Sequence, residues 1–156
     1  MELKRVVVTG LGAITPLGNT VSETWDGLIN GKSGAGPITH FDASKFKTLF
    51  ACEVKNFDPN QVMDRKEARK CDRYSLLAIG AAKQAVEDTG MDLENEDKNR
   101  IGVIFAAGIG GIKTFEEEVT AYAKTKDTIG PKFNPFFIPK MIADIAAGHI
   151  SMMYGF

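Results

Sequence analysis

Short β-branched runs alternate along the chain with stretches whose apolar residues recur every three or four positions. Val6-Val7-Val8-Thr9, ended by Gly10-Leu11-Gly12, reads as a buried strand feeding a tight turn. Thr20 and Glu23 have capping-box spacing, and Trp25, Leu28 and Ile29 follow on one helical face. Residues 31–37 are a glycine-rich loop, residues 50–54 fit a short strand, and Asp58-Pro59 reads as an N-cap followed by proline at a first helical position. A long helix is expected over 66–89, with Tyr74, Leu77, Ala78, Ala81, Ala82, Ala85 and Val86 on its packed side and Gly90 as its stop. Residues 101–107 read as a second buried strand, followed by Gly108-Ile109-Gly110-Gly111 and a helix to about Lys124. Residues 131–139 form an irregular aromatic stretch, and Pro139 opens a last helix carrying Met141, Ile142, Ile145, Ala146, Ile150 and Met153.

Strand–helix alternation argues an α/β layered fold. Three strands are too few for so many helices, and the last helix has no strand to return to. The expectation is an incomplete architecture whose sheet needs strands from beyond Phe156 or from another chain.

Length and charge narrow this picture. A chain of 156 residues can bury one core. With 19 basic and 20 acidic side chains, its net charge of -1 gives no reason to expect nucleic acid as a partner. No apolar run approaches the roughly 18 residues of a membrane span. The N-terminus shows no signal-peptide core, so a cytoplasmic protein is expected. Cys52 and Cys71 lack metal-like spacing, which argues against both a disulfide framework and a zinc site.

Each candidate constellation has a plain structural reading beside the functional one. The first glycine turn resembles the opening of a dinucleotide fingerprint, but Thr15 replaces its third glycine and no helix follows at once, so a turn permitting close backbone approach is the better reading. Gly108-Ile109-Gly110-Gly111 is either a simple turn or a gate on an apolar cavity, with Ile109 projecting from it. Lys66, Arg69, Lys70 and Arg73 fall at helical spacing, giving either a cationic docking face or a solvated one. Phe136, Phe137 and Ile138 are core, interface patch or pocket lining. His40 reads as a loop residue and His149 as a structural histidine on an apolar helix. No nucleophile–base pair is visible, and Cys71, although it follows Arg69-Lys70, reads as facing a helix interior.

Taken in order, residues 6–18 (VVVTGLGAITPLG), 31–34 (GKSG), 65–70 (RKEARK), 108–111 (GIGG), 134–139 (NPFFIP) and 147–150 (AGHI) resemble the β-ketoacyl-acyl carrier protein synthases, in particular the elongating type II bacterial enzymes. The resemblance runs over essentially the whole chain, residues 1–156. It implies a thiolase-like αβαβα layered fold, here an incomplete N-terminal half. It also implies a homodimer and a decarboxylative condensation of an acyl thioester with malonyl-acyl carrier protein, with no cofactor or metal. The family's nucleophilic cysteine and two histidines are expected beyond Phe156, so no catalytic role passes to Cys52, Cys71, His40 or His149. Other roles do carry over by the resemblance. Ile109 matches the gate of the acyl pocket, and Phe137 and Ile138 match the segment reaching across the dimer axis to line the partner's pocket. Lys66, Arg69 and Lys70 match the docking patch for the acidic carrier protein, and Lys132 is a weaker match to a second basic position. A non-catalytic carrier-protein-binding module is the alternative reading.

Overall fold

The computed structural model describes residues 3–130 and 132–156. Met1 and Glu2, ahead of the first expected strand, and Pro131, at the head of the aromatic stretch, lie outside the described residues. Two compact units divide the chain. One runs to Asp58 and takes in Gly80–Met91; the other comprises Pro59–Ile79 and Asp92–Phe156.

In the first unit, α1 (Val21–Ile29) begins where the Thr20 hydroxyl accepts the Glu23 N–H at 3.1 Å. The Glu23 carboxylate returns to the N–H of Asn19 at 2.7 Å, so the reciprocal cap closes one residue earlier than the spacing predicts. Gly27 is the buried residue of α1, while Trp25, Leu28 and Ile29 are exposed. β1 (Gly36–Pro37) and β2 (Phe50–Ala51) pair antiparallel, with Gly36 opposite Ala51, which shortens the expected 50–54 strand to two residues.

The first glycine turn packs on the second half of α3 (Arg73–Asp88). A Cβ on Gly12 would stand 1.9 Å from the Ala81 carbonyl oxygen, and one on Gly10 would stand 2.2 Å from that of Ala85. The Asp88 carboxylate takes the Leu11 N–H at 2.9 Å, and the Gln84 side-chain carbonyl takes that of Ala13 at 3.2 Å. The glycines therefore serve backbone contact, and these two N–H groups already have acceptors.

Two expectations fail here. Residues 6–9 and 101–107 are not strands, and neither makes a backbone–backbone hydrogen bond across a ladder among the described residues. They are also not buried: Val6 is 88% exposed and Ile104 100%. A β-branched run states a preference for a half-buried pleat, but a ladder needs a second backbone alongside, and none of the described segments supplies one.

In the second unit the helix expected over 66–89 is broken. Asp64 caps α2 (Arg65–Ala68) through the Lys66 N–H at 2.8 Å, and after a turn Asp72 caps the start of α3 through the Tyr74 N–H at 3.1 Å. An aspartate offers the backbone a side-chain acceptor in place of a helical carbonyl, and here that competition wins. The single cationic helical face of Lys66, Arg69, Lys70 and Arg73 is accordingly absent: the first three lie on α2 and the turn after it.

α4 (Ile112–Thr125) follows the second glycine loop, then α5 (Phe137–Met141) and α6 (Ile145–Tyr154). The last helix is thus two, divided at residues 142–144. Phe137 and Ile138 are helical, not irregular, because the Asn134 side chain takes the Phe136 N–H at 2.9 Å and its carbonyl takes that of Phe137 at 2.8 Å. Pro139 is tolerated in the first turn of α5, where a backbone N–H would have no intrahelical acceptor. The most buried residues of this unit are Cys71 of the turn before α3, Ser75, Leu76, Ala78 and Ile79 of α3, and Ala146 and Ile150 of α6.

Replacing Gly12 by Ala should destabilise the chain by about 3 kcal/mol, because the Cβ meets backbone that cannot rotate away. The urea midpoint measures it; an unchanged midpoint would mean that α3 does not hold this turn.

Candidate acyl gate and carrier-protein surface

The second glycine loop is built by backbone contact. The Gly111 N–H donates to the Met141 carbonyl at 2.9 Å. Gly110 has φ +80°, and a Cβ there would stand 2.4 Å from the same oxygen. One on Gly111 would stand 2.4 Å from the Lys140 carbonyl. No larger residue fits either position. Ile109, 69% exposed, stands on this loop at the rim of an apolar depression of about 370 Å³ lined by Ile112, Phe115, Met141, Ile142 and Ala143.

Three residues of the α2–α3 junction grip the surrounding elements. The Thr114 hydroxyl, in the first turn of α4, donates to Asp72 Oδ2 at 2.6 Å. The Tyr74 hydroxyl donates to the Ile142 carbonyl, in the break between α5 and α6; burial pushes the Tyr74 pKa up and keeps it a donor. Cys71 Sγ stands 3.5 Å from His149 Nε2 on α6 and 3.7 Å from the Glu67 carbonyl.

The Cys71–His149 pair was not legible in the sequence, where 78 positions separate the two. It is not an activated nucleophile. Burial pushes the thiol pKa up, and the Glu67 charge adds to that against weaker opposing contributions from Lys140 and Lys70. Burial likewise pushes the His149 pKa down, against Glu67. Both shifts favour a neutral thiol beside a neutral imidazole, the reverse of a thiolate–imidazolium pair. Cys52 is exposed, and His40 lies in a loop where its N–H reaches Glu53 at 3.4 Å.

Aromatic rings run in a row along α4 and α5: Phe115 to Phe137 at 6.2 Å, Phe137 to Phe133 at 5.5 Å and Phe133 to Tyr122 at 5.0 Å between centroids. Phe137 is engaged in this row, whereas its neighbour Ile138 is 55% exposed. Of the basic residues, Lys66, Arg69 and Lys132 are exposed. Lys70 is partly committed: its ammonium meets Glu67 at 2.6 Å and lies 5.6 Å from the Phe136 ring centroid. That contact places Phe136 beside the α2–α3 turn.

The profile described as Beta-ketoacyl synthase, N-terminal domain, matches residues 3–156. The chain belongs to the β-ketoacyl synthase family. It is 46% identical to 3-oxoacyl-[acyl-carrier-protein] synthase 2 of Coxiella burnetii over 155 residues, covering 99% of this chain and 36% of that protein. The protein of the same name from Synechocystis sp. is 46% identical, with the same coverage, and one from Staphylococcus aureus is 41% identical over 97% of this chain. The chain therefore spans little more than a third of the length of these synthases. Its fold matches a chain from the complex of a type II PKS acyl-carrier protein with its ketosynthase bound to the hexaketide. There the TM-score is 0.78 and the identity 28%, over 98% of this chain and 40% of that one. The ishigamide ketosynthase/chain length factor matches with a TM-score of 0.76 and 27% identity, over 95% and 36%. The fold is thus the thiolase-like layered fold of ketosynthases, represented by its N-terminal portion. Among the described residues, no group of three or more His, Cys, Asp or Glu side chains could hold a metal ion, and no helix is long and apolar enough to cross a membrane.

The His149 shift has a measurable consequence. Its folded pKa lies below the ordinary 6.5, so the unfolded chain takes up the proton first as the pH falls. Its contribution to stability is present above 6.5 and lost as the pH drops through the folded value. In urea titrations between about pH 7 and 5, His149→Gln should flatten the acid-side loss seen with the parent chain. Parallel curves for the two would mean that the imidazole is not held neutral.

Proposed function

We propose that these residues form the acyl-gate and carrier-docking portion of a chain-elongating β-ketoacyl-acyl carrier protein synthase. The synthase condenses an acyl thioester with malonyl-acyl carrier protein. An acyl group held as a thioester on an enzyme cysteine is attacked by the enolate that malonyl thioester forms on losing carbon dioxide. The new carbon–carbon bond lengthens the chain by two carbons, and the cysteine thiolate leaves. In this reading the cysteine and the assisting histidines belong to the protein beyond Phe156, where the further strands beside residues 6–9 and 101–107 would also come from. The protein works as a cytoplasmic homodimer.

The observation that carries the reading is Ile109. A branched apolar side chain stands on a loop of glycines at the rim of an apolar depression, where an acyl chain would have to pass. Phe137 and Ile138 belong to the segment that reaches across the dimer axis to line the partner's acyl pocket. Lys66, Arg69 and Lys70, with Lys132, supply cationic groups for an acidic carrier protein; Arg suits bidentate contact with carboxylate or phosphate, and Lys supplies point charge.

In the full-length protein, Ile109→Phe should shorten the acyl chains accepted by closing the depression. Measuring condensation rates across a series of acyl primers tests it, and an unchanged chain-length profile would remove the gate. A protein with no condensation at all under these conditions would favour the non-catalytic binding module instead.

Lys66→Glu with Arg69→Glu should weaken carrier-protein binding roughly tenfold or more at low salt, with the difference shrinking as salt screens it. Titration calorimetry at two ionic strengths reads this out; equal affinity at low salt would place docking elsewhere.

A further inference from the structure

Asp72 stands between the two features on which the proposed function rests. It lies two positions after the docking residue Lys70, and its carboxylate reaches the first turn of α4, just after the loop that carries Ile109. One oxygen, Oδ1, holds the Tyr74 N–H at 3.1 Å and so starts α3. The other, Oδ2, accepts the Thr114 hydroxyl at 2.6 Å, in the first turn of α4. The same oxygen lies 3.1 Å from where a Cβ on Gly111 would stand, so it is packed against the end of the glycine loop. A carboxylate here meets the positive end of α4, whose first-turn N–H groups lack helical acceptors. On the loop's other side, the Gly111 N–H is held by the Met141 carbonyl, and Met141 and Ile142 line the depression that Ile109 rims. The loop is thus clamped from two directions: by backbone at residues 140–143 and by one carboxylate at α4. The bond from the Thr114 hydroxyl to the Asp72 carboxylate is short, as hydrogen bonds to carboxylates are.

We propose that Asp72, acting through Thr114, is a positioning residue that sets where the Ile109 gate stands and thereby which acyl-chain lengths the site accepts. This inference rests on the reading of Ile109 as a gate. It assigns no contact between Asp72 and substrate. Thr114→Val removes the hydroxyl at nearly constant volume, and Thr114→Ser keeps it.

The test uses the full-length protein and the ratio of condensation rates on a long and a short acyl primer. That ratio cancels differences in the folded fraction, so a merely structural role would not move it. Thr114→Val and Asp72→Ala should each change the ratio roughly 3- to 10-fold, the scale of one ordinary net hydrogen bond. Thr114→Ser should keep the parent ratio. The Asp72→Ala and Thr114→Val double variant should change it no more than Asp72→Ala alone, because the two act through one bond. If Ile109→Phe moves the ratio while Thr114→Val leaves it at the parent value, the Asp72 inference is overturned and the gate stands. If Ile109→Phe leaves the ratio unmoved as well, the gate reading falls and takes this inference with it.

Discussion

At the second glycine loop two stretches of main chain meet with no side chain between them, and the rest of the candidate site depends on that approach. Gly110 and Gly111 lie against the carbonyls of Lys140 and Met141 at distances that only glycine permits. Because the loop sits so low, the isoleucine before it is left standing at the rim of the depression. Because α5 ends where the loop docks, Met141, Ile142 and Ala143 become the wall beneath it. A single Cβ in this contact would lift the gate from its wall.

Burial decides the chemistry of the Cys71–His149 pair. Proximity alone would suggest a nucleophile and its base. Desolvation moves the two groups in opposite directions, each toward its neutral form, and a thiol that keeps its proton is a poor nucleophile. The pair instead joins the α2–α3 turn to α6, much as Asp72 joins it to α4 and Tyr74 joins it to the break after α5. Three neighbouring side chains thereby hold a helix break that helical propensity by itself would have bridged.

The apolar runs at residues 6–9 and 101–107 keep the composition of sheet interior while lying exposed and unladdered. Leaving such surface in water is unfavourable by about 25 cal/mol for each Å². In the first unit the turn that follows Val6–Thr9 is nonetheless seated on α3 through Gly10 and Gly12, and this contact sets the direction in which that run leaves the helix.

Local signals along the chain were enough for the Thr20 cap of α1, the start of the turn at Pro59, the end of α3 near Gly90 and the family motifs around Ile109 and Lys66. Each depends on residues within a few positions of one another, where spacing translates directly into geometry. The break at residues 69–72, the helical state of Phe137 and Ile138, the division of the last helix and the meeting of Cys71 with His149 came only with the tertiary structure. For three of these a group distant in sequence supplies a hydrogen bond or contact: Thr114 for Asp72, Tyr74 for Ile142, His149 for Cys71; the helical state of Phe137 and Ile138 comes instead from the neighbouring Asn134, whose side chain the apolar pattern does not register. Periodicity reports which face of a segment is apolar; it carries no information about which side chain will outbid a helical carbonyl for a donor, or which distant group will hold that side chain in place.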